Sequence, residues 1–135
     1  MAELEHRLDV DAPFEDALDL VGDFSILNDF HPMVATCDVE GEGVGATRTL
    51  TLSDGSEAVE RLTALHDDGY AYEHVAGQDP LRSYRGRVQV LRRGEGCTVI
   101  WSAEVEAERD EDRVVRRLLG LIEAGAESAK RFLEG

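Results

Sequence analysis

Lysine is almost missing from this chain: Lys130 stands alone, and every other fixed positive side chain is arginine. Fourteen Lys and Arg face 29 Asp and Glu, for a formal net charge of -15. A field of that sign repels phosphate backbones and anionic bilayer surfaces, so nucleic acid is not an expected partner. The acid-rich, lysine-poor balance resembles that of halophilic proteins. Long apolar runs are also lacking. No stretch approaches the ~20 residues needed to cross a bilayer, and no charged-then-apolar leader follows Met1. The expectation is a cytoplasmic protein without membrane insertion.

Cysteine is scarce as well. Cys37 and Cys97 are expected as free thiols in a reducing compartment. The four histidines, His6, His31, His66 and His74, show no ligand spacing, so no metal site is expected. The glycine-rich Gly41-Glu42-Gly43-Val44-Gly45 leads into a strand, leaving no helix start to receive a phosphate. Nothing resembles a nucleophile elbow, so covalent catalysis has no support and no cofactor is expected.

What remains is regular patterning over 135 residues, enough for one domain with a real core. Leu4, His6, Leu8 and Val10 alternate with charged residues and read as a first strand. Pro13 suits the first turn of a helix carrying Phe14, Ala17, Leu18 and Val21, and Gly22 suits its end. Ser25 to Phe30 reads as a second short helix capped by Ser25 and stopped before Pro32. Six strands follow at 34–40, 46–52, 57–65, 70–75, 81–91 and 97–108, separated by glycine-rich or acidic turns. Residues 110–133 read as one long helix whose apolar stripe is Val114, Leu118, Leu121, Ile122, Gly125, Ala129 and Phe132. The fold class is α+β: a curved sheet of seven strands wrapped around a long C-terminal helix. The middle of that helix, Ala124, Gly125, Ala126 and Ala129, is unusually small. The gap opposite it is either packed from the sheet side or left as a cavity.

The most informative stretch is Thr47 to Ala64. Arg48, Leu50 and Leu52 share one side of their strand, and Thr47, Thr49 and Thr51 the other. A three-residue loop at Ser53-Asp54-Gly55, with glycine left-handed, pairs Leu50 with Ala58 and Arg48 with Glu60. A two-residue loop would instead set Arg48 against Arg61, which charge repulsion disfavours. The preferred register puts an arginine and a carboxylate together on the concave face, either as a rim salt bridge or inside a pocket.

This order of elements, with HPMVATCDVEGEGVGATRTLTLSDGS, ERLTALHDDGYAYEHV and LRSYRGRVQV, resembles the START/Bet v 1-like (SRPBCC) helix-grip superfamily. Its polyketide cyclase/dehydrase branch looks nearest, and the plant abscisic acid receptors are similar. The resemblance implies a hydrophobic pocket between sheet and last helix. It places Glu60 at a pocket carboxylate, Arg48 at a neighbouring arginine, and Tyr72 and Tyr84 on the cavity lining. Ser53-Asp54-Gly55 falls at the receptors' gate loop and Asp79-Pro80-Leu81 at their latch, without either full motif. The receptors' pocket lysine aligns with Ala35, which argues against abscisic acid.

The candidate ligand-contacting set is therefore Arg48, Leu50, Glu60, Leu62, Tyr72, Tyr84, Leu118, Ile122 and Ala126, with Glu60 the candidate for proton transfer. Tyr70 and His74 share the facing of Tyr72. Trp101 lies on the apolar side of the last strand and reads as packing, whereas the family alignment turns Ser102 inward; a bulge would reconcile them. Three functions fit: a carrier of a small hydrophobic molecule, lipid-like or polycyclic; a polyketide cyclase or dehydratase using the same cavity; or a non-catalytic partner-binding module. A monomer or weak homodimer is expected.

The charge makes a prediction of its own. Screening of self-repulsion should raise the melting temperature between low and molar salt, measured by calorimetry; an indifferent Tm would remove the halophilic reading.

Overall fold

The computed structural model describes all residues from Met1 to Gly135. Strand β1 (Ala2–Val10) is followed by helices α1 (Phe14–Val21) and α2 (Leu27–Phe30), and then by six further strands: β2 (Val34–Glu40), β3 (Thr47–Leu52), β4 (Glu57–His66), β5 (Gly69–Gly77), β6 (Leu81–Arg93) and β7 (Gly96–Ala107). Helix α3 (Glu111–Glu134) closes the chain. The strands form one antiparallel sheet in the order β1-β7-β6-β5-β4-β3-β2, so the first strand returns to pair with the last. Helix α3 packs across the concave face against β1 and β7. Its core side is Val114, Leu118, Ile122, Gly125, Ala126 and Ala129.

The hairpin adopts the three-residue register. Arg48 pairs with Glu60 and Leu50 with Ala58, the Leu52 N–H donates to the Ser56 carbonyl at 2.8 Å, and Gly55 takes φ +88°. Asp54 holds the turn by accepting from both the Ser56 amide (2.9 Å) and its hydroxyl (2.6 Å).

Local details depart from the sequence reading. Pro13 is the extended residue capping α1 rather than part of its first turn. Ser25 caps nothing: its hydroxyl donates to Asp23, and Ile26 occupies the α2 N-cap. Asp110 precedes α3 in the left-handed region at φ 53°, which a short polar side chain tolerates. Phe132 is 64% exposed, and Leu133 packs on the core in its place. Trp101 points inward with no bulge beside it, since the pairing of β7 with both neighbours runs unbroken through Trp101 and Ser102. Ser102 faces the outside, opposite Glu5 and Arg87.

Two glycines set the interior. Gly125 lies under His31 and Trp101, where a Cβ would sit 2.6 Å from His31 Cδ2 and 2.8 Å from Trp101 Cζ3. The small middle of α3 is thus packed partly from the sheet, by Trp101, and partly from the residue after α2. Gly86 pairs with Tyr72 on one side and Ala103 on the other, and a Cβ there would overlap the Tyr72 phenol ring. The ring lies across β6 only because that site has no side chain.

Replacing Gly86 by alanine should therefore displace Tyr72 and cost about 1–3 kcal/mol, the usual penalty of overpacking. A lowered urea midpoint, with altered fluorescence of Trp101, the sole tryptophan, is the expected result.

Candidate functional site

Arg48 is the largest fully buried side chain, its head inside the sheet's concave face. An extended guanidinium there needs acceptors for its fork of donors, and the fold supplies them. Nε donates to Glu60 Oε1 at 2.9 Å, and Nη1 donates to the Phe24 carbonyl at 2.9 Å and the Tyr70 hydroxyl at 3.1 Å. Phe24, Tyr72 and Tyr70 rings surround its central carbon at 4.3, 5.0 and 5.5 Å, a desolvated cation–π arrangement. Burial opposes the charge, but Tyr70 and the Glu60 carboxylate outweigh it and push the arginine pKa up. Nη2 lies 2.7 Å from the same Glu60 oxygen but out of line, so it alone has no hydrogen-bond acceptor. With the side chains of Arg48 and Glu60 only 0% and 12% exposed, the pair lies inside rather than on the rim.

Beside it runs a second polar chain. Trp101 Nε1–H donates to the Tyr72 hydroxyl at 2.9 Å, and that oxygen lies 3.2 Å from the Tyr84 hydroxyl. Burial drives the pKa of both phenols up, so they are hydrogen-bond donors rather than bases. His31 forms the opposite wall. Its Nδ1 accepts from the Met33 amide at 3.1 Å and its Nε2 donates to the Leu121 carbonyl at 2.8 Å, which fixes the neutral ring. Ser128 adds a 2.6 Å bond to the Phe30 carbonyl, so the end of α2 is tied to α3 through both Phe30 and His31.

Arg48, Glu60, Tyr72, Tyr84, Trp101 and His31 line a hollow of about 70 Å³ together with His74 and Asp79, and the rest of its wall is apolar, Leu27, Val34, Leu50, Leu52, Leu81, Leu118, Leu121 and Ile122 among it. Over it, Arg117 of α3 reaches the β3–β4 turn through Asp54 (3.4 Å) and Ser56 (3.2 Å), and the β5–β6 loop through Asp79 (3.1 Å).

Of the nine candidate residues, seven border this hollow: Arg48, Leu50, Glu60, Tyr72, Tyr84, Leu118 and Ile122. Leu62 and Ala126 do not. Leu62 lies two residues further along β4, buried beside a separate groove with Phe24 and Ala46. Ala126 lies one turn beyond Ile122, next to Gly125, where His31 and Trp101 already occupy the space. The sequence reading missed His31 as a wall residue, His74 and Leu121 as lining, Trp101 as a polar contact and Arg117 as the tie between loops. A helical period passes through Arg117, Leu118, Leu121 and Ile122, but no local pattern marks His31.

A seven-stranded sheet gripping a long C-terminal helix, with two short helices after the first strand, is the helix-grip fold of the Bet v 1-like class. The chain belongs to the family described as polyketide cyclase/dehydrase and lipid transport, whose model matches residues 1–134. No curated protein matches it in sequence. Among solved structures, protein XoxI from Bacillus cereus is similar with a TM-score of 0.91 at 22% identity, over 98% of this chain and 96% of that one. Ginseng major latex-like protein 151 from Panax ginseng gives 0.82 at 21%, over 98% and 97%. Norcoclaurine synthase from Thalictrum, a point mutant with a transition-state analogue, gives 0.74 at 18%, over 98% and 93%. At these identities the likeness concerns the fold.

His31 yields a pH prediction. Burial, and secondarily the Arg48 charge, lower its pKa in the folded protein, while the Leu121 carbonyl pulls the other way. The unfolded chain therefore takes up a proton first, near the ordinary value of 6.5. Stability is unaffected at neutral pH and falls as pH drops below about 6.5. Relative to His31→Gln, the wild type should lose stability between about pH 6.5 and 5, above the carboxylate range, as read from urea midpoints.

Proposed function

We propose that the chain binds a small hydrophobic molecule in the hollow between the sheet and α3, as a monomer or weak homodimer. The observation that supports this best is the Arg48–Glu60 pair. Two charges held together inside a mostly apolar cavity cost several kcal/mol to desolvate, and packing alone could be served by apolar residues. They remain where a ligand's polar end would meet them. The apolar wall supplies the driving force, at ~25 cal/mol per square ångström buried.

The hollow's size restricts the reading. At about 70 Å³ it has room for a few waters or a very small molecule, whereas pockets for drug-sized ligands run from about 300 to 1,000 Å³. A lipid-like or polycyclic ligand requires the hollow to widen. The movable parts are the two loops tied by Arg117 and the adjoining Leu118 and Leu121, since the strands behind Arg48 are pinned on both edges.

The second reading is a cyclase or dehydratase in the same cavity, favoured by the Glu60 carboxylate facing the hollow. The other wall groups serve acid–base chemistry poorly. Both phenols are held protonated, and both His31 nitrogens are engaged. Glu60 would be the group that moves the proton, with proximity in the cavity supplying much of the rate.

Native mass spectrometry of gently purified protein, together with uptake of a fluorescent apolar probe, tests the binding reading; an empty protein that ignores the probe removes it. Glu60→Gln separates the two functions. It leaves Arg48 without its counter-charge and should destabilise the fold by about 3–5 kcal/mol, so the comparison belongs well below the variant's Tm. A carrier changes affinity and never yields product; a cyclase loses turnover of a poly-β-ketone while still binding it.

A further inference from the structure

At the polar end of the hollow the Tyr72–Tyr84 pair carries one more hydrogen-bond donor than its contacts use. Indole nitrogen can only donate, so the 2.9 Å contact must run from Trp101 to the Tyr72 oxygen. The two phenols then share a single bond, at 3.2 Å, and bring two protons to it. One phenolic proton is left over. In head-to-tail order, where each hydroxyl gives and receives, it sits on Tyr84, whose hydroxyl has no other partner in the protein. The same end carries Arg48 Nη2, buried and without an acceptor in line. Neither carboxylate of the lining takes the leftover phenolic proton: Glu60 Oε1 accepts from Arg48 and Asp79 Oδ1 from Arg117, and Tyr84 bonds only to Tyr72. Guanidinium and carboxylate cancel, leaving this wall without net charge.

We propose that the occupant of the hollow is a neutral apolar molecule anchored through an acceptor oxygen, such as a ketone carbonyl, that takes the surplus proton of Tyr84. This rests on the hollow being a ligand site, and it specifies which polar group that ligand presents. An unpaired donor in a dry cavity costs free energy, and an acceptor oxygen recovers it; a hydrocarbon does not. The high phenol pKa values agree with this, because a hydroxyl that stays protonated remains a donor at every working pH.

The test uses two one-ring probes matched in shape: cyclohexanone and methylenecyclohexane. The indole N–H signal of the sole tryptophan, Trp101, reports binding by NMR. Replacing Tyr84 by phenylalanine withdraws the terminal proton to Tyr72, 3.2 Å away. The ratio of cyclohexanone affinity to methylenecyclohexane affinity should then fall about threefold to tenfold, the worth of one hydrogen bond. The bound ketone's carbonyl stretch should be lowered in the wild type and move back in the variant. If methylenecyclohexane binds but neither ratio nor stretch responds to Tyr84→Phe, the acceptor reading is overturned while ligand binding stands. If no probe shifts the indole signal of the wild type, the hollow is not a ligand site and both readings fall together. Should Tyr84→Phe not fold, the wild type decides alone: a bound ketone whose carbonyl stretch stays where it lies in an apolar solvent overturns the acceptor reading.

Discussion

A single guanidinium organises the interior. Arg48 cannot stay buried without partners, and its partners come from across the fold: a carboxylate from β4, a hydroxyl from β5, a backbone carbonyl from the segment between α1 and α2, and three aromatic faces. Each is held in place by the demand of the charge it answers. The Phe24 carbonyl bond in particular draws the α1–α2 segment down onto the sheet, just ahead of Leu27 and His31, which line the hollow. Losing one partner would expose a desolvated charge, which is far costlier than losing an apolar contact. The pair is thus a constraint on shape as well as a feature of the site.

The hollow is what that constraint leaves over. Trp101 and His31 fill the space above Gly125, and Tyr72 lies flat across Gly86, so two missing side chains let three large rings into the concave face. The remainder is a small space near the N-terminal half of α3, closed by a tie that is only partly buried. Arg117 holds two loops through contacts of 3.1 to 3.4 Å, and partly exposed pairs are individually weak. A rigid polar floor under a weakly fastened roof suits a cavity that recognises one end of a ligand and yields to the rest of it.

Membership of the polyketide cyclase/dehydrase and lipid transport family fits this arrangement without deciding between its two halves. The fold is shared with a plant latex-like protein and with a plant synthase, and a common scaffold leaves function to the particular side chains. Here those side chains are mostly donors and apolar walls. That weighs toward recognition over proton transfer, with Glu60 the group on which the balance turns.

The sequence was most readable where spacing alone determines geometry. Strand alternation and turn chemistry placed Arg48 opposite Glu60, because a loop of given length admits few registers and one of them set like charges together. The apolar period of α3 likewise predicted its core face, with Phe132 misplaced, since Leu133 rather than Phe132 meets the core in the last turn. Leu62 and Ala126 were assigned to the cavity on facing alone, yet facing does not say how far along an element the hollow extends. Nothing local could show that His31 would meet Leu121 or that Trp101 would meet Tyr72; these contacts join residues 90 and 29 positions apart. The sequence by itself determined the elements, their faces and the hairpin pairing, since those follow from periods of two and 3.6 residues and from turn stereochemistry. Only the tertiary structure decided which surplus donors share a wall, how much space they surround and which residue fastens the roof, because these are distances between segments that no short-range pattern encodes.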